Sequence, residues 1–348
     1  MEKKIVESEG QRQLNHRPNP IPPRLAREGH TAMDPDSELA FDLPPFLRLY
    51  KSGRVHRLMG TDYVPAGVDP ATGVASKDVL VDPRTGLSAR LYVCCPSAST
   101  RRPILFYVHG GAFVVESAFS PTYHAFLNNV VARADVVAVS VEYRRAPEDP
   151  LPAAYDDAFA ALRWVASGAG GEAWLAERGD FDRVFLAGDS AGANIAHNIL
   201  VRTLADPLGI IMIAGLALIH PHFCGKEAVG AEPTDPAFRE WLETLWGFAC
   251  GWSSGIEDPR VDPFRDEAAL RALRALPCRR VLVSVTEKDG FRERGKAYYE
   301  RLRASGWEGE AELVETEGEK HVYFLFNPNC EKATAEMARL VAFLTRDS

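Results

Sequence analysis

The chain has 348 residues, 46% of them hydrophobic, and a formal net charge of −8. That length can bury a large core, as one large domain with insertions or as two small ones, and a single domain fits. The acidic balance and the lack of a long Lys/Arg run argue against nucleic acid or an anionic membrane surface as partner, which leaves small molecules as the expected ligands.

Residues 1–32 are polar and proline-rich (Pro18, Pro20, Pro22, Pro23) and show no sustained periodicity. Such a composition buries too little apolar surface to order itself, so this stretch is expected to be a disordered extension before a folded domain at 33–348. The first ten residues lack the apolar core of a secretory signal and are too acidic for a typical transit peptide, and no N-x-S/T acceptor occurs. A cytoplasmic location is the expectation. Six cysteines (94, 95, 224, 250, 278, 330) fall at no metal-ligand spacing. They read as buried free thiols in a reducing compartment, and neither metal nor cofactor is expected.

From Phe41 to Tyr50 an apolar patch is interrupted by Pro44-Pro45. It reads either as a short segment covering the core or as part of a lid over a site. Within 79–93, Leu87, Ala89, Leu91 and Val93 alternate with Ser88, Arg90 and Tyr92, the period-two pattern of a half-exposed strand. Ile104 to Val108 is uniformly apolar, as a central strand should be, and runs into His109-Gly110-Gly111-Ala112-Phe113. Another buried strand is predicted at 136–141, and a helix over 153–166 whose early Asp156 and Asp157 suit its N-terminal dipole.

Strand and helix then alternate through 183–187, 191–204, 210–219, 267–276, 280–286, 291–304, 311–316 and 331–345. That rhythm implies an α/β fold, a mostly parallel sheet with helices on both faces. The apolar run at 210–219 is far short of the roughly 20 residues that span a bilayer and reads as a buried strand. Residues 223–256 break the rhythm with Trp241, Leu242, Leu245, Trp246, Phe248 and Trp252. This insertion reads either as ordinary outer packing or as a wall of an acyl pocket; ligands in open α/β sheets bind beyond the carboxyl ends of the strands, which favours the wall and, with 41–50, a small cap.

The most informative stretch is Gly188-Asp189-Ser190-Ala191-Gly192, set between the strand Arg183–Leu186 and a helical pattern from Asn194. Strand, sharp turn and helix are the context of a nucleophile elbow, where a Cβ at either glycine would collide with a neighbouring element. A serine hydroxyl needs a base to take its proton and a third group to orient that base. Asp289 follows the buried run Arg280–Thr286, and His321, the sole histidine after residue 222, follows the strand 311–316. Ser190, Asp289 and His321 thus stand in the order of an α/β-hydrolase triad, each at the end of its own strand. Asp258 and Asp262 also lie between Ser190 and His321 but precede prolines in a segment without strand pattern. The N–H groups of Gly110, Gly111 and Ala191 are the expected oxyanion donors, and His109 is expected to be structural.

Together, His109–Gly111, Gly188–Gly192, Tyr143–Glu148, Glu287–Asp289 and His321–Tyr323 resemble the plant carboxylesterases of the hormone-sensitive-lipase group. The resemblance runs from about Met33 onward, departing at Ala112, where the related HGGG loop has its third glycine. It implies an α/β-hydrolase fold and a serine carboxylesterase acting on small-molecule esters. The same group includes 2-hydroxyisoflavanone dehydratases and the gibberellin receptors, which lack the catalytic histidine, so a lyase and a binding protein stand as alternatives.

Overall fold

The computed structural model describes residues 36–94, 101–209 and 211–346. The expected extension over 1–32, the start at Met33 and Cys95 lie outside them. The described chain begins with β1 (Leu39–Leu43), β2 (Leu47–Tyr50) and β3 (Val55–Arg57), which pair antiparallel in a small sheet of their own.

The main sheet contains β4 (Val74–Asp82), β5 (Leu87–Cys94), β6 (Arg102–Val108), β7 (Val137–Glu142), β8 (Gly179–Asp189), β9 (Ile213–Ile219), β10 (Arg280–Thr286) and β11 (Glu310–Thr316). Its order is β11-β10-β9-β8-β6-β7-β5-β4. The strands from β6 to β11 pair in parallel, and β5 and β4 are added antiparallel at one edge. Parallel strands are buried on both faces, which is why their sequences are apolar at successive positions. In β6, Ile104, Phe106 and Val108 face one core, and Leu105 and Tyr107 face the other.

Helices cover both faces. α1 (Pro121–Ala134), α8 (Tyr323–Phe326) and α9 (Glu331–Thr345) supply one core. α2 (Ala153–Ala166), α3 (Ala173–Arg178), α4 (Ala191–Arg202), α5 (Pro236–Ala249), α6 (Glu267–Arg274) and α7 (Arg292–Ala304) contribute to the other. α5 starts where Asp235 accepts the Phe238 N–H at 3.0 Å and Pro236 takes the first turn, whose N–H would be unpaired in any case.

Two expectations need correction. The 79–93 stretch is a hairpin of β4 and β5, and the polar side of β5 is not exposed: Arg90 and Tyr92 are fully buried beneath α1. Arg90 is tolerated there because it pairs with Asp78 at 2.6 and 2.9 Å, while Tyr92 Oη lies 3.2 Å from His124 Nδ1 on α1. The strand predicted over 210–219 begins only at Ile213.

The register of the parallel strands positions everything that follows. Val108 pairs with Gly188, Asp189 with Ile219, Ile219 with Ser284, and Thr286 with Thr316. The loops leaving β6, β8, β9, β10 and β11 therefore emerge side by side along one edge.

Candidate active site

Ser190 sits between β8 and α4 with φ 51° and ψ −118°. A non-glycine residue at positive φ costs on the order of 1–3 kcal/mol and persists only where its surroundings impose it. Here they do so by contact: a Cβ on Gly188 would strike the Gly192 backbone, and one on Gly192 would strike the carbonyls of Val108 and His109. The Ser190 N–H donates to Ile219 O at 2.9 Å, and Ser190 O accepts the His222 N–H at 3.1 Å.

Asp289 and His321 arrive from the ends of β10 and β11. His321 Nδ1 lies 2.6 Å from Asp289 Oδ2, and His321 Nε2 lies 2.8 Å from Ser190 Oγ. A carboxylate only accepts, so Nδ1–H donates to Asp289 and leaves the Nε2 lone pair for the serine hydroxyl. Asp289 Oδ1 accepts the Phe291 N–H at 2.9 Å, which fixes its rotamer. Burial alone would lower the His321 pKa, but the Asp289 carboxylate outweighs it and raises the imidazole above its ordinary value. Burial likewise opposes ionisation of Asp289, and His321 overcomes it, so Asp289 is held below the usual carboxylate range. The Asp289 side chain is 2% exposed while that of His321 is 29% exposed, so the imidazole alone of the two opens toward solvent.

Asp258 and Asp262 are engaged elsewhere. Asp258 accepts from Ser254 Oγ at 2.6 Å and from Arg260, and Asp262 lies 3.4 Å from the buried Arg294 guanidinium.

The loop after β6 turns through Gly111, Ala112 and Phe113 at φ 100°, 54° and 66°. Ala112 thus takes a left-handed conformation although it has a side chain. Among the described residues, the N–H groups of Gly111, Ala112 and Ala191 have no protein acceptor. Gly110 is a correction: its N–H turns inward, donating to Tyr123 Oη at 2.8 Å and Asp189 Oδ1 at 3.1 Å, so it is already committed.

Asp189 itself was not singled out by the sequence, where it is only the variable residue before the serine. It is buried, and it accepts from Tyr107 Oη at 2.8 Å and Tyr123 Oη at 2.9 Å as well as from Gly110. Burial raises its carboxyl above the usual range despite these bonds. It ties the serine turn to the β6 loop. His109 is structural in its surroundings: its ring stacks on Tyr143 at 4.2 Å, its Nδ1 donates to Gly110 O at 2.8 Å, and burial pushes its pKa down to about 3.

An aromatic wall reaches the histidine. The Phe291 ring lies 5.3 Å from that of His321 and 6.4 Å from Trp241, which stacks with Phe238 at 6.0 Å. Trp246, also on α5, meets Phe113 of the glycine loop edge-on at 5.7 Å. Phe41 of β1 stacks on Phe248 at 5.0 Å, so the small sheet and α5 pack together. Trp252 is 61% exposed, yet its ring meets Phe41 edge-on at 5.7 Å and Phe248 at 6.5 Å.

Among the described residues, ligand atoms of His220, Asp289 and His321 come within 4.8 Å of one another, close enough to hold a metal ion. In this structure Asp289 and His321 are bonded to each other and His220 Nδ1 accepts the Val322 N–H.

Comparison with known proteins agrees with this architecture. A family model described as alpha/beta hydrolase fold matches residues 105–325. The chain is 46% identical over 329 residues to Probable carboxylesterase 13 of Arabidopsis thaliana, covering 90% of this chain and 99% of that protein. It is 45% identical over 314 residues to the chloroplastic Tuliposide A-converting enzyme 1 of Tulipa gesneriana, covering 89% and 79%. Among solved structures it is similar to EstE1, a thermophilic carboxylesterase cloned from a metagenomic library, with a TM-score of 0.65, 28% identity and coverage of 81% and 90%.

Proposed function

The chain belongs to the alpha/beta hydrolase fold family, and from that premise we propose that it is a serine carboxylesterase hydrolysing small to medium uncharged acyl esters. The observation that carries this reading is the continuous chain of hydrogen bonds Ser190 Oγ, His321 Nε2, His321 Nδ1, Asp289 Oδ2, with steps of 2.8 and 2.6 Å. Ser190 attacks the ester carbonyl while His321 takes its proton, and the same imidazolium then protonates the departing alcohol. Asp289 holds the tautomer and offsets the positive charge. The Gly111, Ala112 and Ala191 N–H groups receive the oxyanion, and water, deprotonated by His321, releases the acyl-enzyme. These steps call for no metal or cofactor.

Phe238, Trp241 and Phe291 give the acyl side an aromatic, uncharged wall, which supports an apolar acyl group. Residues 41–50, within β1 and β2, and residues 223–256 together serve as the cap. Among the described residues no helix is long and apolar enough to cross a membrane. Composition supports a cytoplasmic location, and a fluorescent fusion found in plastids, where the tulip relative's name puts that protein, would contradict it.

A panel of p-nitrophenyl esters of increasing acyl length, run beside 2-hydroxyisoflavanone and a gibberellin, tests the activity. Ester turnover as the principal reaction is expected. Tight gibberellin binding without turnover of any ester would make the chain a receptor, and preferential dehydration would make it a lyase.

A further inference from the structure

The residues that leave β9 meet both halves of the triad. Ile219 and His222 bracket Ser190 through the two backbone bonds already described, while His220, between them, reaches the other way. Its Nδ1 accepts the N–H of Val322, the residue after His321, at 2.8 Å. Both joined residues are non-glycines held left-handed, His220 at φ 47° and Val322 at φ 46°. Neither conformation is one the chain keeps without support.

The support continues behind the ring. Because Nδ1 accepts, the ring hydrogen lies on Nε2, which is 3.1 Å from Glu336 Oε1 on α9. The same oxygen accepts the Ser284 hydroxyl at 2.6 Å, and Ser284 O accepts the His220 N–H at 2.8 Å. Burial disfavours the Glu336 carboxylate, but His220, Ser284 and Tyr323 hold it below the ordinary range. The His220 ring stacks with Tyr323 at 6.1 Å, meets Phe324 at 5.5 Å and lies 6.0 Å from the His321 ring. His220 is fully buried and Glu336 is 8% exposed. A buried histidine that grips the backbone next to His321, with a carboxylate 3.1 Å behind its ring, has one evident effect: it fixes where that imidazole stands.

We propose that His220, oriented by Glu336, is a positioning residue that sets the reach of His321 to Ser190. This rests on the triad reading above. With Ile219 and His222 bonded to the serine and His220 bonded to the histidine loop, one short segment gauges the distance between nucleophile and base.

The test compares His220→Phe, which has no acceptor for the Val322 N–H, with His220→Asn, whose amide oxygen can replace Nδ1. A displacement of about 1 Å in a catalytic group can cost around 10²-fold, so His220→Phe is expected to lose about 30-fold or more in kcat with KM within about twofold. His220→Asn is expected to stay within about threefold of wild type, and Glu336→Gln, which keeps volume, to lose about fivefold in kcat. Near-UV circular dichroism and Tm establish the folded fraction, and if His220→Phe does not fold, Glu336→Gln carries the test. Wild-type kcat in both His220→Phe and Glu336→Gln would overturn the proposal. So would equal loss in His220→Asn and His220→Phe, which would reduce the role to packing, or a change confined to KM. Ser190→Ala run alongside separates the two readings: if it still turns over ester, the triad falls and the positioning role with it.

Discussion

At the scale of single residues, the proposed chemistry depends on which tautomer His321 holds, and that is set by one carboxylate. Asp289→Asn preserves size but offers an amide that can hold the ring the wrong way round; the serine-protease example of this change loses about 10⁴ in kcat. Asp289→Asn is therefore expected to lose roughly 10² to 10⁴ in kcat with little change in KM, against less than about tenfold for Asp262→Asn, whose carboxylate faces Arg294. Saturating ester kinetics on both variants decides it, and the reverse ranking would move the acid to Asp262. The same ion pair fixes the pH dependence. The proposed mechanism requires unprotonated His321, and Asp289 raises its pKa, so kcat/KM should climb with pH through a midpoint above the ordinary value of about 6.5. A midpoint below that of a free imidazole in the pH–rate profile would contradict the pairing. Ser190, Asp289 and His321 were legible because each ends its own strand in a fixed order. Asp189 was not: its importance appears only when Tyr107 and Tyr123, on separate elements, converge on it. Gly110 was misjudged for the same reason, since the acceptors that occupy its N–H are distant in sequence.

Among the elements, the strands and helices of the sheet were readable because uninterrupted apolar runs and helical spacing each leave a local signature; the helix over 153–166 was placed to the residue. β5 was not, because an alternating pattern signals a half-exposed strand unless a helix covers its polar side, and only tertiary packing reveals α1 above Arg90 and Tyr92. The residues 223–256 gave a composition without a geometry. Folded, they present α5, whose Trp241 stands between Phe238 and Phe291 beside the base. Trp241→Ala should open the acyl side. The ratio of kcat/KM for p-nitrophenyl octanoate to that for the butyrate is expected to rise by about fivefold or more, since each methylene in an apolar pocket is worth about 1–3 kcal/mol. An unchanged ratio would remove α5 from the acyl pocket.

For the whole molecule, the parallel register brings five loops to one edge, and the site is assembled from residues spread between 109 and 322 of the chain. Such a site depends on the sheet and not on a polar tail, so removing residues 1–32 should leave both kcat/KM and Tm unchanged. A fall in Tm on truncation, followed by calorimetry, would show that the segment packs against the domain. The N-terminal sheet was only half legible: the apolar patch at 41–50 was visible, but its folding as β1 and β2 and its seat on Phe248 required the partner to be in place. The central claim is that Ser190 is the nucleophile, and intact-mass analysis with peptide mapping after organophosphate treatment tests it most directly. Wild type should gain a single adduct on the peptide that contains Ser190, in step with loss of ester turnover, and Ser190→Ala should neither gain the adduct nor hydrolyse ester. Labelling of Ser190→Ala at the wild-type rate, or an adduct on a different residue, would contradict the account.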